Sequence, residues 1–597
     1  LLKSQQKIGS AKLKTIKISY LFFALLSVSI LSCTDLEEQV VDERLGSESP
    51  SPENAIAAAY GQLGDGTFVD HGNVFGLQEY STDEAILPTR GSDWGDGGKW
   101  RALSEFTWDA SNPQIKSAWD NLNFGITKSL TAIQAIEKSS VANKQLFLAE
   151  AKGLLVFYTY HTLDLYGQAP YRDPMDVNAE IVVRKADVAI DELITEVEGI
   201  IPNLANIGEQ STHMGRFTKQ AAYALLADMY MNRAVLKNRY SNTFDFNESA
   251  VSGGVSDMDK VIEYSSNIIN SGRFKLESNF FRNFDISNDD GTELIFAVVQ
   301  KATANSLRNS SNSFAYMPVE RAQKPSPDNR GTNATGTTPE FYHSWDGNHE
   351  DPRFHRHYQY EDGTWFMNDG TDVSVPATSL VEGTGKPWFH FNRGIQAGVQ
   401  YGPTILANGS FEMVNGRIKV NQLKMEKNTN LLVNFTPEYN FDNPLQAVLS
   451  QNQINRGARV FKYEFDPSFG NNGNGSVNIS LFRLGGIYTL RAEAYFRKGN
   501  TSAALADINM LRTSRTREAL FGNAPGVAIT TLDEATLVKE IAFETYWELV
   551  RRKQLIRFGK FEEARTAKSV TAPTKRIYPI PQATIDASNV FTQNKGY

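Results

Sequence analysis

Helical spacing of apolar residues comes and goes along this chain, and its gaps divide the sequence. Ser51-Pro52-Glu53 opens a first helix, with a capping hydroxyl and Pro at the first helical position, and 55–63 continues it. Gly, Asp and Thr dominate 64–109, which reads as loop. Asn112-Pro113 then starts a long helix to about Ser139, with Ile115, Trp119, Leu122, Ile126, Leu130 and Ile133 on one face. Further helices are predicted over 144–166, stopped by Gly167 and Pro170, and over 187–204, 218–234 and 257–270. Between 275 and 475 the periodicity fades into Gly, Asn, Asp, Pro and aromatic residues, with short strand-like runs at 293–299 and 417–420. It returns over 481–514 and 533–560.

The clearest unit is 481–511. Leu484, Ile487, Leu490, Ala494 and Tyr495 form one apolar stripe; Gly499 ends that helix, and Thr501 is expected to cap the next, which buries Ala504, Leu505, Ile508 and Leu511. Ala492, Ala494, Ala503 and Ala504 let the two helices approach closely. This is an antiparallel pair of the tetratricopeptide type, and one pair cannot bury both of its faces, so others are expected. Residues 217–270 read as another, its turn stretched by a Ser/Asn-rich loop.

Ahead of these helices, Lys3, Lys7, Lys12, Lys14 and Lys17 precede an apolar run over 18–31 that is too short to span a bilayer. It ends Ile30-Leu31-Ser32-Cys33, on the single cysteine of the chain, and resembles a bacterial lipobox. The resemblance implies a signal peptide over 1–32 and lipidation of Cys33, which leaves no thiol for disulfide, metal or catalysis. Asp35, Glu37, Glu38, Asp42 and Glu43 make 33–50 an acidic tether, similar to the surface-export signal of Bacteroidetes lipoproteins. An ordinary signal peptide and a solvated linker are the plainer readings. The 597 residues, 41% hydrophobic with a net charge of −8, are enough for a large core and argue against nucleic acid as a partner.

Several separate blocks carry one further likeness. LAEAKGLLVFYTYHTLDLYGQAPY at 148–171, GRFTKQAAYALLADMY at 215–230, the 481–511 pair and the ending at 577–597 resemble the signature blocks of the SusD/RagB outer-membrane lipoproteins. Glu544, Glu548, Arg551, Leu555, Arg557 and Gly559 match a further block, although Leu549 stands where that family prefers Gly and Gln554 where it prefers Asp. The resemblance implies a mainly α fold of four tetratricopeptide-like helix pairs, an α-α superhelix, with a large loop-rich subdomain. Its parts would be a helical region over 51–274 carrying a ligand loop at 64–109, an irregular ligand-binding region over 275–475, and C-terminal helices and tail over 476–597 packed with the first helices. It further implies a non-enzymatic protein, lipid-anchored and facing outward on the outer membrane, without cofactor. Such a protein binds oligosaccharide or polysaccharide and delivers it to a SusC-like TonB-dependent transporter. A peptide cargo, a surface glycoside hydrolase or lyase, and a purely structural anchor are the rival readings.

A sugar chain needs flat aromatic faces and planar or charged hydrogen-bonding groups. The loop TDEAILPTRGSDWGDGGKWR at 82–101 offers both: Arg90 as a fork of donors, Asp93 and Asp96 as acceptors, Trp94 and Trp100 as faces. Arg90, Asp93 and Trp94 also stand on positions matching the family's glycan-contacting loop. The plainer alternative packs either Trp down to hold a Gly-rich loop. In the irregular region Trp365 and Trp388 are expected as platforms, with Arg393 as a hydrogen-bonding neighbour, while Trp108, Trp119, Trp345 and Trp547 are expected in the core. His355-x-His357 lacks a third ligand at metal spacing and reads as solvated loop, so no metal is expected. The run 551–557 reads as the last turns of a helix, with Glu548 and Arg552 as an i,i+4 pair.

Overall fold

The computed structural model describes residues 50–597 apart from 177, 287, 302–311, 382 and 467–474. The predicted signal segment, Cys33 and the tether lie outside the described residues.

The longer helices are α1 Pro52–Gln62, α2 Pro113–Glu137, α3 Lys144–Tyr166, α4 Ala186–Ile200, α5 Lys219–Lys237, α6 Asp257–Ile269, α7 Leu484–Arg497, α8 Thr501–Ser514, α9 Glu534–Thr545 and α10 Arg551–Arg557. They pack in sequence as α1 on α2, α3 on α4, α5 on α6 and α7 on α8, each pair also lying against the next. These are the four helix pairs expected. Side chains start them: Ser51 accepts from the Asn54 amide, Asn112 from Gln114 and Thr218 from Ala221, and Ser256 and Asp259 form a reciprocal capping box. Gly499, at φ +76°, ends α7 as predicted. The cap of α8 is one residue earlier than expected, because Asn500 and not Thr501 accepts from the Ala503 amide, at 3.2 Å.

The second pair is held close to the first and third by missing side chains. A Cβ on Gly125 of α2 would stand 2.3 Å from the Tyr158 ring, and one on Gly153 of α3 would stand 2.3 Å from Phe217. That approach buries α3 around almost its whole circumference, from Leu146 to Tyr166.

The predicted helix over 533–560 is two helices. Trp547 and Leu549 take left-handed φ values of +59° and +64° and break it. Leu549 thus holds a conformation that Gly adopts without strain, which accounts for the family's preference at that position. The expected Glu548–Arg552 pair does not form. Glu548 sits in the break and receives Arg483 and Lys462, each at 2.6 Å, while Arg552 Nη1 lies 3.7 Å from Asp164.

The region 275–475 is less irregular than its composition suggests. The expected strands appear as Leu294–Val298 and Arg417–Gln422. Around them are a three-stranded sheet of 355–356, 393–396 and 459–461, and a four-stranded one of 374–376, 401–403, 413–414 and 417–422. Strand Leu294–Val298 pairs antiparallel with Ile479–Arg483, which runs directly into α7, so sheet and helices share one core. Buried charges reinforce the joint: Arg483 reaches Glu293 at 3.1 Å and Glu544 at 2.6 Å, and Arg515 reaches the same two acids. Trp108, Trp119, Trp345 and Trp547 are all buried, as expected.

Candidate functional site

The loop of 82–101 is anchored from beneath. Thr89–Arg90 pairs in parallel with Val448–Leu449, and Arg90 and Asp93 exchange backbone hydrogen bonds at 2.8 and 2.9 Å, closing a tight turn. The Arg90 side chain turns inward. It is 2% exposed and donates to the carbonyls of Ala334 at 3.0 Å, Ile454 at 3.1 Å and Arg456 at 2.7 Å. The outward fork of donors expected of it is therefore not there; Arg90 ties two distant segments under the loop. Burial without a carboxylate partner lowers its pKa.

Trp94 stands above this anchor, half-buried, at φ +58°. Its Nε1 donates to the Thr332 carbonyl at 3.0 Å, and its ring meets Trp100 and His71 edge-on at 6.2 and 6.3 Å. Asp93 is held by Arg321 at 3.1 Å and Lys427 at 3.0 Å. Asp96 is exposed, and it accepts the Trp100 indole N–H at 2.9 Å. Trp100 itself is packed down, stacked on His71 at 5.2 Å with the Lys99 ammonium 4.9 Å from its ring. Of the two tryptophans expected to offer faces, only Trp94 is not fully buried.

The other three expected residues meet in a cavity of about 360 Å³. Trp388 is buried, 6.0 Å from Phe465, and is wall rather than platform. Trp365 is half-buried in a two-residue strand. Arg393 is fully engaged, donating to the carbonyls of Phe461 and Phe284 at 3.2 and 3.1 Å and to Asp285 at 2.5 Å. The sequence reading missed the residues that shape the wall: Tyr358 and His390 stack at 3.9 Å and 7°, beside Arg356, Asn392 and Glu464. The H-Y-Q-Y alternation at 357–360 was the available signal. His390 is half-buried. Burial, and then Arg393, push its pKa down to about 3. His357 of the same group is bound to Glu518 at 2.5 Å. Burial and the neighbouring Asp285 raise Glu464 to about 7 against the pull of Arg393.

The two groups of residues flank one stretch, 312–334. Thr332 and Arg321 serve the Trp94 loop, whereas Ala315, Val319 and Pro325 line the cavity.

A four-pair helical scaffold carrying an aromatic loop and a side cavity is the arrangement that family comparison then places. The model of the SusD family matches residues 292–597. The chain belongs to the SusD family. Among curated relatives of this SusD-family chain, the starch-binding protein SusD of Bacteroides thetaiotaomicron is 25% identical over 98% of this chain and all of that protein. Solved structures share the fold. A SusD superfamily protein from Parabacteroides distasonis superposes with a TM-score of 0.62 at 17% identity, covering 92% of this chain and 100% of that one. Surface glycan-binding protein A from Bacteroides thetaiotaomicron, solved in complex with laminarihexaose, gives 0.57 at 17% identity, covering 91% and 98%.

Proposed function

We propose that this SusD-family chain is a cell-surface lipoprotein that binds oligosaccharide or polysaccharide along the Trp94 loop. It passes that cargo to a partner TonB-dependent transporter in the outer membrane. Anchoring through Cys33 is part of the reading, and no catalytic step is.

The observation that carries it is the way Trp94 is held. A left-handed φ is unfavourable for a bulky side chain and persists where the surroundings impose it. Here a buried arginine, a bridged carboxylate and an indole hydrogen bond to Thr332 fix a half-buried tryptophan in the loop. A fixed aromatic face is what the C–H-rich side of a sugar ring packs on, with little entropy lost on binding. Relatives named for starch and glycan binding point the same way.

The test is affinity electrophoresis of the purified protein through gels carrying starch, laminarin, levan, xylan, mannan, pectin or alginate. Retardation by one polymer, lost or weakened at least tenfold (about 1.4 kcal/mol) in Trp94→Ala, is the expected result. Retardation that survives Trp94→Ala would remove this loop from the site. No retardation by any polymer, or by matching oligosaccharides in calorimetry, would overturn the glycan reading.

A further inference from the structure

The cavity walled by Tyr358, Trp365 and 388–393 differs in kind from the Trp94 loop. Its volume of about 360 Å³ lies near the small end of small-molecule sites, roughly 300–1,000 Å³. A polymer cannot thread a space of that size, but a sugar ring or two fits it.

Its chemistry is mixed and nearly balanced in charge. Asn392 is 2% exposed; its Oδ1 accepts the Tyr358 amide at 3.0 Å, yet its Nδ2 has no acceptor. A buried donor without a partner is uncommon and wants an oxygen. Arg356, one strand away and paired in register with Arg393, makes a single bond, to the Thr516 carbonyl at 3.3 Å. The carboxylates acting on it, Glu518 and Asp285, are each bound elsewhere, at 2.5 Å to His357 and at 2.5 Å to Arg393. Glu464 faces the same space, tied to the Ile286 amide at 2.8 Å and 3.9 Å from Arg393. Two arginines thus stand against three acids, one of them raised to about 7 by its surroundings. The wall offers spare donors and acceptors beside aromatic rings and no strong excess of either sign, which suits a neutral polyhydroxylated ring.

We propose that this cavity is a second carbohydrate subsite, taking one terminal or branching neutral sugar residue through Asn392, Arg356 and the Trp365 and Tyr358 rings. The inference rests on the glycan reading of the Trp94 loop. The loop lies along the polymer, and the cavity reads a chain end or side branch.

Saturation-transfer NMR with free glucose, galactose, mannose, xylose, arabinose and fucose tests this apart from any polymer. At least one of these is expected to give a signal that Trp94→Ala retains and that Arg356→Met and Trp365→Leu weaken at least fivefold. Trp365 is half-buried, so its variant serves if Arg356→Met fails to fold. A signal lost in Trp94→Ala and unchanged by both cavity variants would overturn the subsite. So would silence from all six sugars in a protein that polysaccharide still retards, with the Trp94 reading left intact. Silence from sugars and polymers alike would overturn both.

Discussion

Arg321 donates from Nε and Nη2 to one oxygen of Asp93, at 3.3 and 3.1 Å. Both side chains are largely shielded, and the contact ties the aromatic loop to the stretch that walls the cavity on its other side. Lys427 holds the second oxygen, so Asp93 acts on the loop's position.

Asp93→Ala and Arg321→Ala are accordingly expected to weaken glycan binding by a similar factor, about three- to tenfold (roughly 0.6–1.4 kcal/mol). The double variant should lose little more than Asp93→Ala alone, because Arg321→Ala removes one of the two contacts that Asp93→Ala removes. Calorimetry on the four proteins and on Lys427→Ala checks this. A loss for Asp93→Ala larger than Arg321→Ala and Lys427→Ala cause together would mean that the carboxylate touches ligand directly.

The start of α8 gives a stability prediction in which neighbouring residues compete. Asn500→Ala removes the side chain that accepts from the Ala503 amide, and is expected to destabilise by about 1 kcal/mol. Thr501→Ala lies inside the helix and should change stability by less than about 0.5 kcal/mol. Thermal or urea unfolding of both variants separates them; equal losses would return the capping role to Thr501.

Acid sensitivity follows from Glu293. Burial alone would raise its pKa, but Arg515 and Arg483 hold it down to about 2 from an ordinary 4.5. A depressed carboxylate stabilises the fold above its unfolded pKa and loses that contribution as pH falls through the folded one. The protein is therefore expected to lose stability between about pH 4.5 and 2. Glu293→Gln should flatten that part of the pH profile while being less stable at pH 7, since two buried arginines lose a charged partner. An unchanged acid limb in urea midpoints would assign the sensitivity to other acids.

Helix pairs were legible because each signal was local. Pro52, Asn112, Thr218 and Gly499 mark ends that depend on a few neighbouring residues, and the apolar stripes have the helical period. The break at 546–550 was not legible, since nothing local disfavours helix through Trp547 and Leu549. Two buried acids impose it from outside: Glu84 accepts the Trp547 amide at 3.1 Å, and Glu79 accepts that of Leu549 at 2.7 Å.

The same division runs through the site. Sequence by itself determined that residues 82–101 form a Gly-rich loop bearing Arg90, Asp93 and two tryptophans, and that Trp365, Trp388 and Arg393 lie in a region rich in Gly, Asn, Asp and aromatic residues. Residue type limits what a side chain can do. Which way it faces depends on partners hundreds of residues away, and only the tertiary structure supplies those. Ala334, Ile454 and Arg456 draw Arg90 inward, and Thr332 holds the half-buried Trp94. Phe461, Phe284 and Asp285 occupy Arg393, while Tyr358 and His390 come together as one stacked wall from positions 32 residues apart.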